Sequence, residues 1–340
     1  MELMTENNKK NIILVGGAGY IGTVLIEYFL EKNLRVTVID NLLYSNKFAI
    51  KKYIKNKNFK FYKADMRDKN SCKNILKKGY AVVLLAGLVG DPITKKYKTL
   101  SKSINSLGVR RFIETCYKLK NINRFIFIST CSNYGLSNKK NILLNEKSKL
   151  NPLSIYAKQK VEIEKFLINL KKNKFFSPCI LRFATAFGLS PRMRFDLTVN
   201  HFTKSFIEKE TLEVYDPNTW RPYCHVKDFA RLIHKVIISE KKLINYQIFN
   251  AGNNKNNFTK KDILKKVQKI LPRNNVIFKK KDVDRRNYRV DFRKVKKLLK
   301  FTTKYSLEYG INEIFKSYKN KNFKRIKYQL GNYSVKNARK

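Results

Sequence analysis

The chain has 340 residues, 43% of them hydrophobic and 13% aromatic, which is too apolar for disorder and enough for a large core in one domain or two unequal ones. No apolar run approaches the roughly 20 residues that a bilayer helix needs, and the stretch at Ile12 is too short for a signal peptide, so a cytoplasmic location is expected, with no membrane partner. The formal net charge of +49 invites a nucleic-acid reading, but the lysines are dispersed over the whole chain instead of gathered with arginine and aromatics in one patch, so a nucleic-acid partner is not expected.

Residues 12 to 15 form an apolar strand that runs into Gly16-Gly-Ala-Gly19-Tyr20-Ile21-Gly22. A helix over 20–32 and a second apolar strand over 35–39 follow, and the strand ends at Asp40. Each part has a task in binding a dinucleotide. Gly16 permits the tight turn, Gly19 lets the backbone approach a pyrophosphate, and Gly22 lets helix and strand pack closely. The helix start at Tyr20 and Ile21 turns free N–H groups and a positive dipole end toward phosphate. Asp40, with Asn41 beside it, is expected to hold the ribose hydroxyls, which favours NAD over NADP.

Further strands are predicted at 59–63, 80–86 and 124–129, with helices at about 46–55, 68–78 and 95–119. The runs 81–86 and 124–129 show no polar alternation, which suits strands buried on both faces and hence a parallel sheet between helix layers. A polar loop (132–151) leads to a helix from Pro152 to Lys171, and a sixth strand from Cys179 runs to Gly188. Then the rhythm changes. A loop with Pro191 and Arg192, a helix near 196–208, a strand at 212–215 and smaller elements run to Leu299, and a helix from Ser306 to Tyr318 closes the fold. The expected fold class is α/β: a Rossmann-type doubly wound parallel sheet with a smaller mixed α/β substrate-binding cap. The expected boundaries are 11–190 for the dinucleotide domain, with 225–252 returning to it, and 191–224 plus 253–318 for the cap. Residues 319–340 read as a basic, solvated tail.

Five cysteines, an odd number without zinc spacing, read as reduced thiols, and three histidines form no metal motif, so no metal is expected. The chemistry lies elsewhere. Tyr156 and Lys160 stand four apart and share a helix face. A nearby ammonium and a positive nicotinamide ring should favour the tyrosine phenolate, which could then take a proton from a sugar hydroxyl. Thr130 ends the fifth strand, where open α/β sheets bind their ligands, and its hydroxyl could hold the same oxygen.

Gly-Gly-Ala-Gly-Tyr-Ile-Gly, Leu-Ala-Gly-Leu-Val-Gly-Asp-Pro (85–92), Ser-Thr-Cys-Ser-Asn-Tyr-Gly (129–135) and Tyr156-Ala-Lys-Gln-Lys160 occur in order at suitable separations. Together they resemble the extended short-chain dehydrogenase/reductases of the NAD-dependent epimerase/dehydratase family that act on nucleotide sugars, over residues 11 to 318. The resemblance implies Tyr156 as base, Thr130 positioning the substrate hydroxyl and Lys160 holding the nicotinamide ribose. It implies adenine contacts at Asp65 and Met66, and cofactor against the backbone of Ala86 and Gly87. Trp220-Arg221-Pro-Tyr-Cys-His225-Val-Lys-Asp228 and Asp284-Arg-Arg286-Asn-Tyr-Arg-Val-Asp291 are similar to the segments whose arginines grip the nucleotide diphosphate, here Arg221 and Arg286.

Two departures stand out. Thr185 takes the place of the family's asparagine after the sixth strand, and Arg192 or Arg194 could substitute for the lost contact. Cys131 and Ser132 stand where sugar 4,6-dehydratases carry an Asp-Glu pair, which disfavours water elimination. Ser190 to Asn200 resembles a subgroup of sugar C4 epimerases and dehydrogenases of surface polysaccharide synthesis. The family also implies a homodimer through helices 95–119 and 153–171, with Phe112, Ile113, Tyr117, Ile163, Phe166 and Leu167 as candidate interface residues. The expected activity is that of an NAD-dependent epimerase or dehydrogenase of a nucleotide-diphosphate sugar, with hydride transfer at C4. The alternatives are an NDP-4-keto-sugar reductase and a non-catalytic RNA- or protein-binding relative of the fold.

Overall fold

The computed structural model describes residues 10–137, 142–271, 275–280, 286–320 and 331–335. The first half runs β1 (Asn11–Val15), α1 (Tyr20–Glu31), β2 (Arg35–Asp40), β3 (Phe59–Lys63), α2 (Lys69–Leu76), β4 (Ala81–Leu84), α3 (Asp91–Lys96), α4 (Lys98–Ser101), α5 (Val109–Lys118), β5 (Arg124–Thr130), β6 (Leu143–Leu144) and α6 (Ile155–Asn169). The second half runs β7 (Pro178–Phe183), β8 (Thr185–Phe187), α7 (Thr198–Ile207), β9 (Leu212–Tyr215), β10 (Trp220–His225), α8 (Val226–Ile238), α9 (Lys241–Ile244), β11 (Gln247–Ala251), β12 (Asn257–Thr259), α10 (Lys260–Ile270), β13 (Val276–Lys279), β14 (Arg289–Val290), α11 (Arg293–Leu299) and α12 (Leu307–Lys319).

Seven strands form one parallel sheet in the order β11-β7-β5-β4-β1-β2-β3. Strand order reverses between β1 and β4, and ligands of open α/β sheets bind outside the strand ends at such a point. Period-two alternation in β1 explains the double layer: Ile12 and Leu14 enter one core cluster and Ile13 and Val15 the other, all at most 1% exposed. The chain returns to this body after β10, since α8 packs against α1 and β11 closes the sheet edge. A separate core of α7, α10 and α12, with the β9–β13 pair, lies beside it. No helix among the described residues is long and apolar enough to cross a membrane.

Several expectations need correction. The helix over 95–119 is interrupted at Tyr97 and widens into a π-helical stretch at Lys102–Gly108. That stretch carries Asn105, whose buried amide accepts from Leu88 N (2.9 Å) and donates to Leu88 O (3.0 Å) and Gln159 Oε1 (2.9 Å), pinning the loop after β4. The helix predicted from Pro152 starts at Ile155, because Ser154 Oγ caps it by accepting from Ala157 N (3.2 Å). Phe112, Ile113, Ile163 and Leu167, expected at a dimer interface, are at most 1% exposed within this one chain, where they pack on the sheet. The tail is not solvated throughout either: Val335 packs on the core cluster around Phe112, and Asn332 and Tyr333 reach the large cleft.

Candidate active site

A cleft of about 1430 Å³ opens at the carboxyl ends of β1, β2, β4, β5 and β7. Every predicted site residue lines it: Gly16, Gly19, Tyr20, Ile21, Gly22, Asp40, Asn41, Asp65, Met66, Ala86, Gly87, Thr130, Tyr156, Lys160, Thr185, Arg192, Arg221 and Arg286. Residues spread over 270 positions thus share one wall system, which is larger than a single small ligand requires.

At one end the backbone is shaped for close approach. Gly16 has φ +80°, and a Cβ on it would lie 2.6 Å from the backbone of Ala86. A Cβ on Gly22 would lie 2.4 Å from the Gly17 carbonyl oxygen. Gly19 caps α1 without any side-chain hydrogen bond, so the helix turns its positive end to the cleft unscreened. Tyr20 contributes that helix start, while its phenol is buried structure, donating to Gly188 O (2.6 Å) and accepting from Asn200 Nδ2 (3.1 Å). Asp40 accepts one backbone bond on each oxygen, from Leu42 N (2.8 Å) and Ala18 N (3.0 Å). Burial pushes its carboxyl up and those bonds pull it back. Each oxygen keeps a second lone pair for a hydroxyl donor. Burial alone would raise Asp65, but Arg67 (2.8 and 3.0 Å) and Asn41 Nδ2 (2.9 Å) hold it below the usual carboxylate range. The glycine cradle, the open helix end and the spare acceptors of Asp40 fit an adenine dinucleotide.

At the other end stand Thr130, Tyr156 and Lys160. Thr130 Oγ1 accepts from Ser132 N (3.1 Å), which leaves the hydroxyl proton to be donated into the cleft. Lys160 is 6% exposed and donates to Ile128 O (2.7 Å), with its ammonium 4.5 Å from the Phe127 ring centroid and 5.8 Å from that of Tyr156. Burial pushes the Lys160 ammonium down to about 8, against the pull of Glu164. The expected lowering of the Tyr156 phenol by Lys160 is not met by the protein's own groups. Burial pushes that phenol up, and the cations that pull it down are Arg194 and Arg286. Lys160 has turned its charge onto a strand-end carbonyl, so arginines, not the lysine, set the field at the phenol.

Three arginines surround this end, and a fourth does not. Arg286 Nη1 pairs with Asp91 Oδ2 (2.8 Å) and donates to Ser132 Oγ (3.3 Å); Asp284 and Arg285 of the same segment lie outside the described residues. Arg194 makes a two-point pair with Asp196 (2.5 and 3.1 Å). Arg221 donates to Trp220 O (2.7 Å) beside the Tyr288 ring. Arg192 sits apart from the position expected for it: its guanidinium lies 5.1 Å from the Tyr44 ring centroid, in the field of Asp40, and so belongs to the Asp40 end of the cleft. Thr185 starts β8 opposite Tyr223 of β10.

Sequence reasoning missed the acids. Asp91 follows Gly90, at φ +118°, inside a segment quoted only for its likeness. Asp228 and His225 had a motif but no role. Asp228 holds the backbone of Lys304 and Tyr305, and His225 Nε2 lies 2.7 Å from Glu313, which also takes Leu189 N (2.5 Å). Since His225 Nδ1 accepts from Lys227 N (3.1 Å), the proton is on Nε2. That pair fixes the loop after β8 that carries the cleft arginines. Cys131 is buried against Arg182 O (3.2 Å), and its thiol is pushed up by that burial, so it is no acid for this cleft. No cluster of potential metal ligands exists among the described residues.

Residues 12–252 match the family model described as the NAD dependent epimerase/dehydratase family. Among curated proteins, the chain is 30% identical over 247 residues to a dTDP-D-glucose 4,6-dehydratase of Dictyostelium discoideum, a match covering 66% of this chain and 56% of that protein. It is 26% identical over 312 residues to a UDP-glucuronate 4-epimerase of Thermodesulfobacterium geofontis, covering 88% and 93%. The fold is that of a Bacillus cereus UDP-glucuronic acid 4-epimerase solved with UDP-glucuronic acid and NAD, at TM-score 0.81 and 24% identity, covering 91% of this chain and 99% of that one.

Proposed function

The chain belongs to the NAD dependent epimerase/dehydratase family, and within it we propose that it is an NAD-dependent nucleotide-sugar 4-epimerase or the closely related dehydrogenase. The observation that carries the reading is the meeting of Tyr156 and Thr130, in one cleft, with the glycine cradle and Asp40. Bound NAD supplies the hydride acceptor and donor beside the sugar carbon. Tyr156 takes the proton of the C4 hydroxyl, and Thr130 holds that hydroxyl by hydrogen bonding. Arg194 and Arg286 lower the cost of the phenolate, and Lys160 fixes the ribose. Arg221 and Arg286 are the proposed diphosphate clamp, with Arg286 leaving Asp91 for phosphate.

A 4,6-dehydratase is disfavoured although such enzymes are among the relatives, because the buried Cys131 thiol and the Ser132 hydroxyl offer no acid–base pair for removing water. Supply of activated sugars for polysaccharide in the cytoplasm suits this chemistry. Homodimerisation would use what the helix faces leave exposed, such as Leu107 (48%) and Ile168 (37%), and a monomer mass by light scattering at micromolar concentration would overturn it. The division into an NAD-binding body (11–190 and 225–252) and a substrate cap (191–224 and 253–318) belongs to the same proposal.

The test is single-turnover reduction of bound NAD by a panel of nucleotide sugars. Tyr156→Phe keeps the ring and removes the base, so the rate should fall by about 10² to 10⁴ while cofactor affinity holds. A Tyr156→Phe protein as fast as the parent places the base elsewhere.

A further inference from the structure

Residues 331–335 lie far beyond the span matched by the family and come back to the cleft. Three hydrogen bonds hold them there. Gly331 O accepts from Arg192 Nη2 (3.1 Å), Asn332 N donates to Asp196 Oδ1 (3.3 Å), and Asn332 Nδ2 donates to Val89 O (3.0 Å). Arg192 and Asp196 belong to the loop between β8 and α7, and Val89 to the loop between β4 and α3. The segment therefore ties together two loops that rise on different strand ends. Val335 anchors its far side in the core cluster that includes Leu88 and Met66.

The tie lies toward the cofactor end. Arg192 is 4% exposed, donates from Nη1 to Met193 O (3.2 Å), and holds its guanidinium near the ring of Tyr44 in the loop that follows Asp40. The guanidinium thus joins Gly331 O and Met193 O in the field of Asp40 and keeps further N–H groups for a ligand. A buried guanidinium so placed favours an anion beneath it, and the pyrophosphate end of the glycine cradle is in the same cleft. Gly331 is buried, while Asn332 and the 48% exposed Tyr333 line the cleft, so the segment is a wall that meets both the cleft and water.

We propose that residues 331–335, held by Asn332 and Arg192, form a strap across the cofactor cleft that slows exchange of NAD. Release of the dinucleotide requires the β4 and β8 loops to part, and the strap bonds them together. This rests on the cleft being the NAD site and deepens that reading, because an epimerase keeps one cofactor molecule through both halves of its cycle, whereas a dehydrogenase must exchange it every turnover. Asn332 and Arg192 are positioning residues here, acting through the loops they join.

The experiment measures how fast bound NADH is displaced by excess NAD, followed by the fluorescence of bound NADH in stopped flow. It compares the full chain, a chain ending at Asn320 and full-length Asn332→Ala. Circular dichroism and the melting temperature check that each variant is folded. The truncated chain should release NADH at least ten-fold faster and lose it on desalting, and Asn332→Ala should release it several-fold faster at unchanged melting temperature. If truncation unfolds the protein, Asn332→Ala decides alone. Release within two-fold of the parent in the folded variants overturns the strap but leaves the NAD site standing. A full chain that binds no NADH overturns both.

Discussion

Two successive parts of α6 meet the same kind of chemistry and treat it differently. One turn beyond Lys160, Glu164 is 3% exposed and its carboxylate is saturated. It accepts from Ser129 Oγ (2.5 Å), Asn133 Nδ2 (2.9 Å) and Arg182, whose Nε reaches both oxygens (3.1 Å each) and whose Nη2 adds a 2.7 Å bond. At the start of the helix, Tyr156 lies in the field of Arg194 and Arg286, and the second of these has a partial pair: Arg286 holds one oxygen of Asp91, and the other oxygen of Asp91 is buried without a hydrogen bond. A buried charge with all its partners is structure. A buried charge with partners missing is a place where a ligand can complete the set.

The saturated end offers the largest effect. Glu164→Gln keeps the shape but leaves Arg182 with no carboxylate in a nearly dry site, which costs about 3–5 kcal/mol when a buried pair is broken. Urea denaturation should read that loss, with an unchanged slope. A loss below 1 kcal/mol would mean that the network is not the strut described, and the contrast along α6 would collapse.

Asp40 sharpens the comparison from the cleft side, because each of its oxygens has one partner where those of Glu164 share five bonds. The spare lone pairs should take ribose hydroxyls and repel a 2′-phosphate. Calorimetry should show NAD preferred over NADP by about 2 kcal/mol or more. Equal affinities would show that Asp40, like Glu164, is only structural.

What the sequence made legible was local. The glycine turn, the acid at the tip of β2, the unbroken apolar strands and the Tyr156–Lys160 spacing each depend on residues within one turn or one strand, and the sheet follows from them. What it hid was nonlocal or a matter of burial. Asn332 meets Val89 across 243 positions, and nothing near either residue announces it. Arg192 faces Asp40 because the loop after β8 is fixed by His225 and Glu313, two further elements. The direction of the Tyr156 shift could not be read from a nearby lysine, because desolvation of the phenol outweighs the nearby cations and depends on the whole cleft. Four of the six candidate dimer residues failed for the same reason: an apolar helix stripe does not say whether it faces its own sheet or another chain.

Lys160 carries the smallest expected effect on stability and the clearest sign. Its folded value near 8 lies below the ordinary lysine value of 10.5, so burial of the ammonium opposes folding. Below pH 8 the group is protonated in both states and the penalty is present in full. Between about 8 and 10.5 the unfolded chain holds a proton that the folded chain has released, so this group makes stability rise with pH, by at most about 1.4 kcal/mol per pH unit. Lys160→Met removes the charge, leaves Glu164 fully paired with Arg182, and forfeits the bond to Ile128 O, the contact with the Phe127 ring and the pull of Glu164. At pH 7 the variant should therefore melt within a few degrees of the parent or above it. Many other groups titrate in this range, so the informative quantity is the difference between parent and variant. That difference should move in favour of the parent from pH 8 to 10. NAD affinity should show the reverse in the parent, weakening over the same window as the ammonium proposed to hold the ribose is lost, and should be weak and flat in Lys160→Met. A variant that melts far below the parent at pH 7 would make Lys160 a structural partner like Glu164, and would move the boundary between the two parts of α6 one turn toward its start.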